Sequence, residues 1–271
     1  MTHASKIANV LTIAGSDSGG GAGIQADIKA ISATGSYACS VITALTAQNT
    51  QGVQAIFTPP AEFVAAQLDA VFSDIHIDAV KIGMLSDAAV IEVVAQKLRE
   101  YQPKIVVLDP VMVATSGDLL LQTSAIDALK KELLPLATVI TPNLPEAATL
   151  LGCAVPQNIA EMEAMVEALR ALNTHAVLLK GGHLQEDESL DLLIEGDHTQ
   201  AYSQKRIATK NTHGTGCTLS AALASFLAQG DRLDSAVDNA KAYISKAIEH
   251  ADMLKVGHGH GPVHHFFEQD A

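Results

Sequence analysis

Residues 10–31 read VLTIAGSDSGGGAGIQADIKAI, and the fold is decided there. Val10–Ala14 is a short apolar run, the length and composition of a buried strand. A loop from Gly15 to Gly23 follows and holds five glycines. Ile24, Ile28 and Ile31 then fall on one face of a helix. A strand that passes through a glycine loop into a helix opens a βαβ unit. The pattern repeats along the chain. Ser40–Thr46, Ala79–Ile82, Ile105–Leu108, Thr138–Thr141 and Ala176–Lys180 read as strands, several of them buried on both faces. Ala61–Phe72, Ala88–Arg99, Ala125–Leu134 and Ala160–Leu172 read as helices between them. Leu190–Glu195 and Gln200–Ile207 predict a hairpin around Gly196-Asp197, and Thr215–Gln229 and Leu233–His250 predict two closing helices. The sum is an α/β fold: one domain over residues 1–271, with a mainly parallel sheet and helices on both faces.

Composition narrows the function. Of 271 residues 48% are hydrophobic, which supports a large core. Seventeen basic against 30 acidic residues give a formal charge of −13, the wrong sign for a nucleic-acid partner. A local phosphate pocket remains compatible, because backbone N–H groups hold anions whatever the net charge. Cys39, Cys153 and Cys217 are odd in number and widely spaced, which fits a reducing cytosol better than a disulfide framework. No secretory pattern opens the sequence, and no apolar run approaches the roughly 18 residues of a membrane span.

In parallel sheets, ligands bind beyond the carboxyl ends of the strands. Those positions are Gly15-Ser16-Asp17, Gln48-Asn49, Gly83-Met84, Asp109-Pro110, Pro142-Asn143 and Gly181-Gly182. The segment Lys210-Asn211-Thr212-His213-Gly214-Thr215-Gly216-Cys217 runs straight into a helix whose buried face is Leu219, Ala222, Leu223, Phe226 and Leu227. Two readings apply to this turn. One is a glycine N-cap beside a structural cysteine. The other is an anion site in which Cys217, its thiol pKa lowered by the helix N-terminus, takes a proton from a substrate hydroxyl. No G-x-x-x-x-G-K-[ST] and no G-x-G-x-x-G occurs, so neither a Walker loop nor a dinucleotide fold is expected.

Asp27 falls on the apolar face of the first helix, where a carboxylate needs a partner. It either caps the glycine loop or meets a polar ligand group. Asp109 ends a strand, and Glu146 follows another in Thr141-Pro142-Asn143-Leu144-Pro145-Glu146. Glu146 alone reads as a helix-start residue. Two acids at the phosphate end of a sheet also suit Mg²⁺, which needs one or two carboxylates and keeps its waters. The tail histidines His258, His260, His264 and His265 read as tail packing over the last strands rather than as a metal cluster.

Eight segments, LTIAGSDSGGGAGIQADIKA, VITALTAQNT, KIGML, VVLDPVMVATSGD, VITPNLPEA, LLKGGH, KNTHGTGCTLSAA and GHGHGPVHHF, stand in order along nearly the whole chain. Together they closely resemble the hydroxymethylpyrimidine and phosphomethylpyrimidine kinases of thiamine biosynthesis, in the ribokinase-like superfamily. The resemblance implies a ribokinase-like three-layer α/β/α domain without a separate lid, a cytosolic homodimer, and ATP with Mg²⁺. It implies phosphorylation of 4-amino-5-hydroxymethyl-2-methylpyrimidine and then of its monophosphate. Pyridoxal or pyridoxine kinase, acting on another flat ring with a hydroxymethyl group, is the alternative, as a main or a dual activity.

Roles follow by resemblance, residue by residue. Gln48 looks like the residue that holds the aminopyrimidine, with Gly15, Asp27, Met84 and Val111 as pocket neighbours. Gly214, Thr215 and Gly216 resemble an anion hole, with Cys217 where most ribokinase relatives place an aspartate base. Asn143 and Glu146 match an N-x-x-E element that organises Mg²⁺ and phosphate, and Asp109 looks like a second acid near the metal. Lys180, Lys210 and Thr212 look like phosphate or nucleotide contacts.

Overall fold

The computed structural model describes residues 7–112, 123–184 and 188–270. Part of the VVLDPVMVATSGD segment, residues 113–118, lies outside them. The chain opens with β1 (Asn9–Asp17), α1 (Gly23–Ala33), β2 (Tyr37–Asn49), β3 (Gly52–Phe57), α2 (Ala61–Phe72), β4 (Ala79–Ile82), α3 (Ala88–Tyr101) and β5 (Val106–Leu108). It continues with α4 (Thr123–Ala128), β6 (Val139–Ile140), α5 (Leu144–Leu151), α6 (Ile159–Ala164), α7 (Val166–Arg170) and β7 (Ala176–Lys180). A hairpin of β8 (Glu188–Glu195) and β9 (His198–Lys205) leads to α8 (Thr215–Ala228) and α9 (Leu233–Glu249).

The described strands form one sheet in the order β3-β2-β1-β4-β5-β6-β7-β8-β9. From β2 to β7 all neighbours pair in parallel, and β3, β8 and β9 add antiparallel edges. Side-chain alternation divides the core in two. Leu11, Ile13, Val80, Ile82, Leu108, Ile140 and Leu179 face one cluster, which includes Val64 and Leu68 of α2 and Val90, Ile91 and Val94 of α3. Val10, Val107, Val139 and Leu178 face another, built with Ala30 and Ile31 of α1, Leu219 to Leu227 of α8 and Val237 to Ile244 of α9. Helix, sheet and helix are therefore three layers around two cores, as expected. Each fully buried Leu or Ile there contributes about 1.5–3 kcal/mol. No described helix is long and apolar enough to cross a membrane.

Some boundaries depart from the sequence reading. β2 runs on to Asn49 and returns as β3, whose residues are mostly exposed and so carry no alternating pattern. The expected helix over residues 125–134 is α4 followed by a π turn at Leu129–Leu133 and a 3₁₀ turn at Leu134–Leu136. Pro135 has no N–H to continue an α-helix. The helix expected over residues 160–172 is broken between α6 and α7 at Met165. The tail bonds the end of β2 and the helices α8 and α9. Gly259 and His260 donate backbone N–H groups to Thr50 beyond β2, His264 N–H bonds Ala247 O of α9, and His265 Nε2 meets the Thr218 hydroxyl of α8 at 2.9 Å.

Candidate active site

The chain leaves β1 for β2 on one side and returns to β4 on the other, which opens a crevice at the carboxyl ends of the strands. A cleft of about 700 Å³ lies there, within the range that holds small molecules and cofactors. Gly15, Gln48, Met84, Asp109, Val111, Asn143, Glu146, Lys180, Thr212, Gly214, Thr215, Gly216 and Cys217 all line it.

Two glycine-rich loops interlock at its centre. The first is wrapped around Asp17. Its carboxylate accepts from the N–H groups of Gly19, Gly21 and Ala22 at 2.7, 3.0 and 2.9 Å and meets His213 Nε2 at 2.8 Å. Burial opposes the charge, but the His213 contact and the Gly19 and Ala22 N–H groups hold this carboxyl below its ordinary range. The second loop enters α8 through Gly214, at φ +80°, where a Cβ would stand 1.8 Å from the carbonyl oxygen of Gly21. Only glycine fits both the torsion and the contact. The turn that opens α8, from Gly214 to Cys217, therefore lines the cleft, with the helix dipole behind it.

Cys217 sits half-buried in the first turn of α8, and the backbone N–H of Gly23, at the start of α1, pulls its thiol pKa down. The expected depression of this thiol is absent. Burial pushes it up to about 11, against the pull of Lys81, while Asp27 and Asp109 push it further up. Desolvation outweighs the helix N-terminus.

At the ring-binding end, the Gln48 amide lies between the Thr46 hydroxyl, 3.0 Å from Oε1, and His213 Nε2, 3.5 Å from Nε2. The missing Cβ of Gly15 leaves room for Met84 Sδ, which such a Cβ would approach to 3.1 Å. Val111 follows Asp109 in a tight turn, its N–H bonded to Asp109 O at 2.8 Å.

The acids form a second group. Asp109 Oδ1 accepts from Lys180 Nζ at 2.9 Å and from the Thr141 hydroxyl at 3.0 Å, and Oδ2 accepts from Ser220 at 3.3 Å. Burial raises this carboxyl, but Lys180 and Lys81 outweigh it and hold it below its ordinary range. Burial also works against the Lys180 charge, and Asp109 and Glu146 more than offset it. Glu146 closes a capping box on α5: Asn143 Oδ1 accepts its N–H at 2.9 Å, and its own carboxylate accepts the Asn143 N–H at 2.8 Å. Burial pushes Glu146 up to about 7 against the pull of Lys180, and the charge of Asp109 adds to the rise.

Among the described residues no three His, Cys, Asp or Glu gather into a metal cage. A cation that keeps waters and phosphate ligands needs less. Glu146 and Oδ2 of Asp109, which carries only a long hydroxyl contact, fit Mg²⁺ on that basis.

Two anticipated residues fall outside the cleft lining. Asp27 is fully buried against Lys81 and Thr12, so it neither caps the glycine loop nor meets the cleft. Lys210 is exposed and does not line the cleft. Several lining residues escaped the sequence reading. His213 belonged to the quoted turn but had no role until Asp17 came within 2.8 Å. Arg206 is fixed by the carbonyls of Gly182 and Leu184, and Lys241 pairs with Asp191 at 2.6 Å, on elements whose meeting no spacing announces. Leu219, Ile207, Ile244 and Ile248 give this end of the cleft an apolar wall.

Known proteins are similar to this chain along almost its whole length. A family model described as phosphomethylpyrimidine kinase matches residues 17–264. The hydroxymethylpyrimidine/phosphomethylpyrimidine kinase of Rhizobium meliloti is 57% identical over 94% of this chain and 96% of its own. The pyridoxal kinase of Bacillus subtilis, solved with ADP, superposes with a TM-score of 0.89 at 35% identity, over 98% of this chain and 100% of that one. The phosphomethylpyrimidine kinase of Clostridium difficile superposes at 0.78 with 45% identity, over 89% of this chain and 99% of that one. With a ribokinase-like fold, a glycine turn opening α8 and a match over nearly its full length, this chain belongs to the phosphomethylpyrimidine kinase family.

Proposed function

We propose that this enzyme transfers the γ-phosphoryl group of ATP to the hydroxymethyl oxygen of 4-amino-5-hydroxymethyl-2-methylpyrimidine, and then a second one to the resulting monophosphate. One observation carries the reading. Cys217 and the turn that opens α8 share a single cleft with Gln48 and Met84 on one side and with Lys180, Asn143 and Glu146 on the other. A flat ring suits the first side and a polyphosphate suits the second.

Phosphoryl transfer needs positioning and charge stabilisation more than covalent work. Gln48 holds the aminopyrimidine edge while Gly15, Met84 and Val111 pack on the ring. Cys217 receives the hydroxymethyl proton as that oxygen attacks phosphorus. The Thr215 N–H is bonded to Thr212 O at 3.2 Å, which leaves the N–H groups of Gly216 and Cys217 to face the oxygens of the moving phosphoryl group, where charge accumulates. Lys180, 3.3 Å from the place where a Gly216 Cβ would stand, neutralises the same group from the sheet side. Thr212, Asn143 and, from outside the cleft lining, Lys210 contact the nucleotide phosphates, and the apolar end at Ile207, Ile244 and Ile248 takes the adenine.

Glu146 and Asp109 would hold Mg²⁺, which neutralises phosphate charge when bound. Asp27 takes no part in ring contact in this reading, because its carboxylate is sealed beneath the sheet's helical cover. The protein is proposed to work in the cytosol as a homodimer. Leu45 and Phe57, directly paired across β2 and β3, are 44% and 62% exposed, an apolar edge suited to a second copy.

An ATP-coupled assay with the pyrimidine alcohol and with its monophosphate tests the function. Turnover of both supports it, and turnover of neither overturns it. A second reading, pyridoxal kinase, is favoured by the close superposition on the Bacillus subtilis enzyme. A panel of ring alcohols separates the two, and a strong preference for pyridoxal would reverse the assignment.

A further inference from the structure

The segment Gly257-His258-Gly259-His260-Gly261-Pro262 lies against both halves of the cleft. One end holds the turn between β2 and β3. Gly259 N–H donates to the Thr50 hydroxyl at 3.1 Å, and His260 N–H donates to the Thr50 carbonyl at 3.0 Å. Thr50 stands two residues beyond Gln48, which lines the cleft. The other end holds the turn before α8. Gly261 N–H donates to Asn211 Oδ1 at 3.1 Å, and Gly261 O accepts the His213 N–H at 3.0 Å. Gly214 follows at once.

Both seats are too close for a side chain on the segment. A Cβ on Gly259 would stand 2.0 Å from the Thr50 carbonyl oxygen, and one on Gly261 would stand 2.3 Å from Asn211 Oδ1. Neither glycine has a positive φ, so each serves close approach alone. Beyond them the chain is buried from Pro262 to His265 and anchored on two helices. His264 N–H bonds Ala247 O of α9, His265 Nε2 meets the Thr218 hydroxyl of α8, and the Tyr243 hydroxyl donates to His265 O, each at 2.9 Å. The segment is thus a brace fixed to α8 and α9 that reaches across two turns far apart in sequence.

We propose that Gly259 and Gly261 are positioning residues for phosphoryl transfer: their backbone ties Thr50 to Asn211 and so sets the gap between the ring held at Gln48 and the phosphoryl group held at Gly216 and Cys217. The inference rests on the reading of Gln48 as ring holder and of the α8 turn as anion site. Transfer needs the reacting atoms about 3–3.5 Å apart, and a misplacement of about 1 Å costs on the order of 10²-fold in rate.

The test compares the parent with Gly259→Ala, Gly261→Ala and the double variant. Each new Cβ lifts the brace from one seat. Each single variant should lower kcat with the pyrimidine alcohol by about tenfold or more. ATP affinity, measured by calorimetry, should hold, because Lys180, Asn143 and the apolar wall are not held by Thr50 or Asn211. The double variant should lose no more than the worse single one, since a brace freed at one end no longer couples the two turns. Losses that multiply, parental kcat in both single variants, or a fall in ATP affinity equal to the fall in kcat would each overturn the proposal. Thr50→Val and Asn211→Ala remove one acceptor each without adding volume, and they repeat the cycle if a glycine variant folds poorly. Hydrogen exchange followed by mass spectrometry reads the brace without turnover. Gly259→Ala should speed exchange in residues 211–217, and Gly261→Ala in residues 48–51, by about two- to tenfold, the net worth of one hydrogen bond. Absence of these cross-effects in an active parent would sink the brace itself. A parent that phosphorylates no pyrimidine while the cross-effects persist would instead sink the functional reading, and the positioning role with it.

Discussion

At the scale of single residues, the cleft is governed by burial. Cys217 is pushed up to about 11 and so is a thiol at neutral pH. A base in that state predicts that kcat/KM climbs as pH is raised from about 7 to 10, because the free enzyme's thiolate fraction climbs with it. Cys217→Ala should lower kcat by about 10²-fold or more while ATP binding, measured by calorimetry, holds. Glu146 makes a different prediction. Its carboxyl is displaced from 4.5 to about 7 by burial, so between these values the folded state holds a proton that the unfolded state has lost. Stability therefore falls as pH rises through that window. Glu146→Gln removes the charge and keeps an acceptor for the capping box. At pH 8 it should raise stability by on the order of 2 kcal/mol in denaturant titrations, with the gain vanishing near pH 4. The same variant should lose turnover, because the charge that burdens the fold is the one assigned to the metal and phosphates.

At the scale of elements, the site depends on α1 and α8 lying side by side with their N-terminal ends together. Gly214 packs against the Gly21 carbonyl, and His213 reaches back to Asp17. Gly214→Ala should cost at least about 1–3 kcal/mol in thermal or denaturant unfolding, from the positive torsion alone. Turnover should fall further than stability implies, because the N–H groups aimed at the phosphoryl group would shift. The glycines of the turn before α8 were legible in the sequence as a candidate anion site and those after β1 as a candidate ligand loop, and so was the place of each. The contact between them was not, because it joins residues about 190 positions apart, as the His213–Asp17 pair shows at a separation of 196. Asp27 illustrates the same limit. Helical periodicity placed it correctly on an apolar face, yet only the register of Thr12 against Lys81 reveals that its partner is a lysine of the sheet. Lys81 itself lies in an apolar strand and opens the KIGML segment, which gave it no role.

At the scale of the whole molecule, strand and helix alternation sufficed for the three layers, since strands buried on both faces leave a strong apolar signature. The exposed edge did not announce itself: β3 is short and mostly solvent-facing, so its pattern resembled a loop. That edge predicts an assembly state. Phe57→Glu, at a residue 62% exposed and paired with Leu45, should convert a dimer to a monomer in sedimentation analysis. A wild-type monomer would contradict the assigned interface. The central claim is that one cleft phosphorylates a pyrimidine alcohol twice, with Cys217 as proton acceptor. Its most direct measurement is ATP-dependent conversion of 4-amino-5-hydroxymethyl-2-methylpyrimidine to its monophosphate and diphosphate, resolved by chromatography for the wild type and Cys217→Ala. The account predicts both products in order from the wild type and a loss of about 10²-fold or more in the variant. Equal product from the two proteins, or no phosphorylated pyrimidine from either, would contradict it.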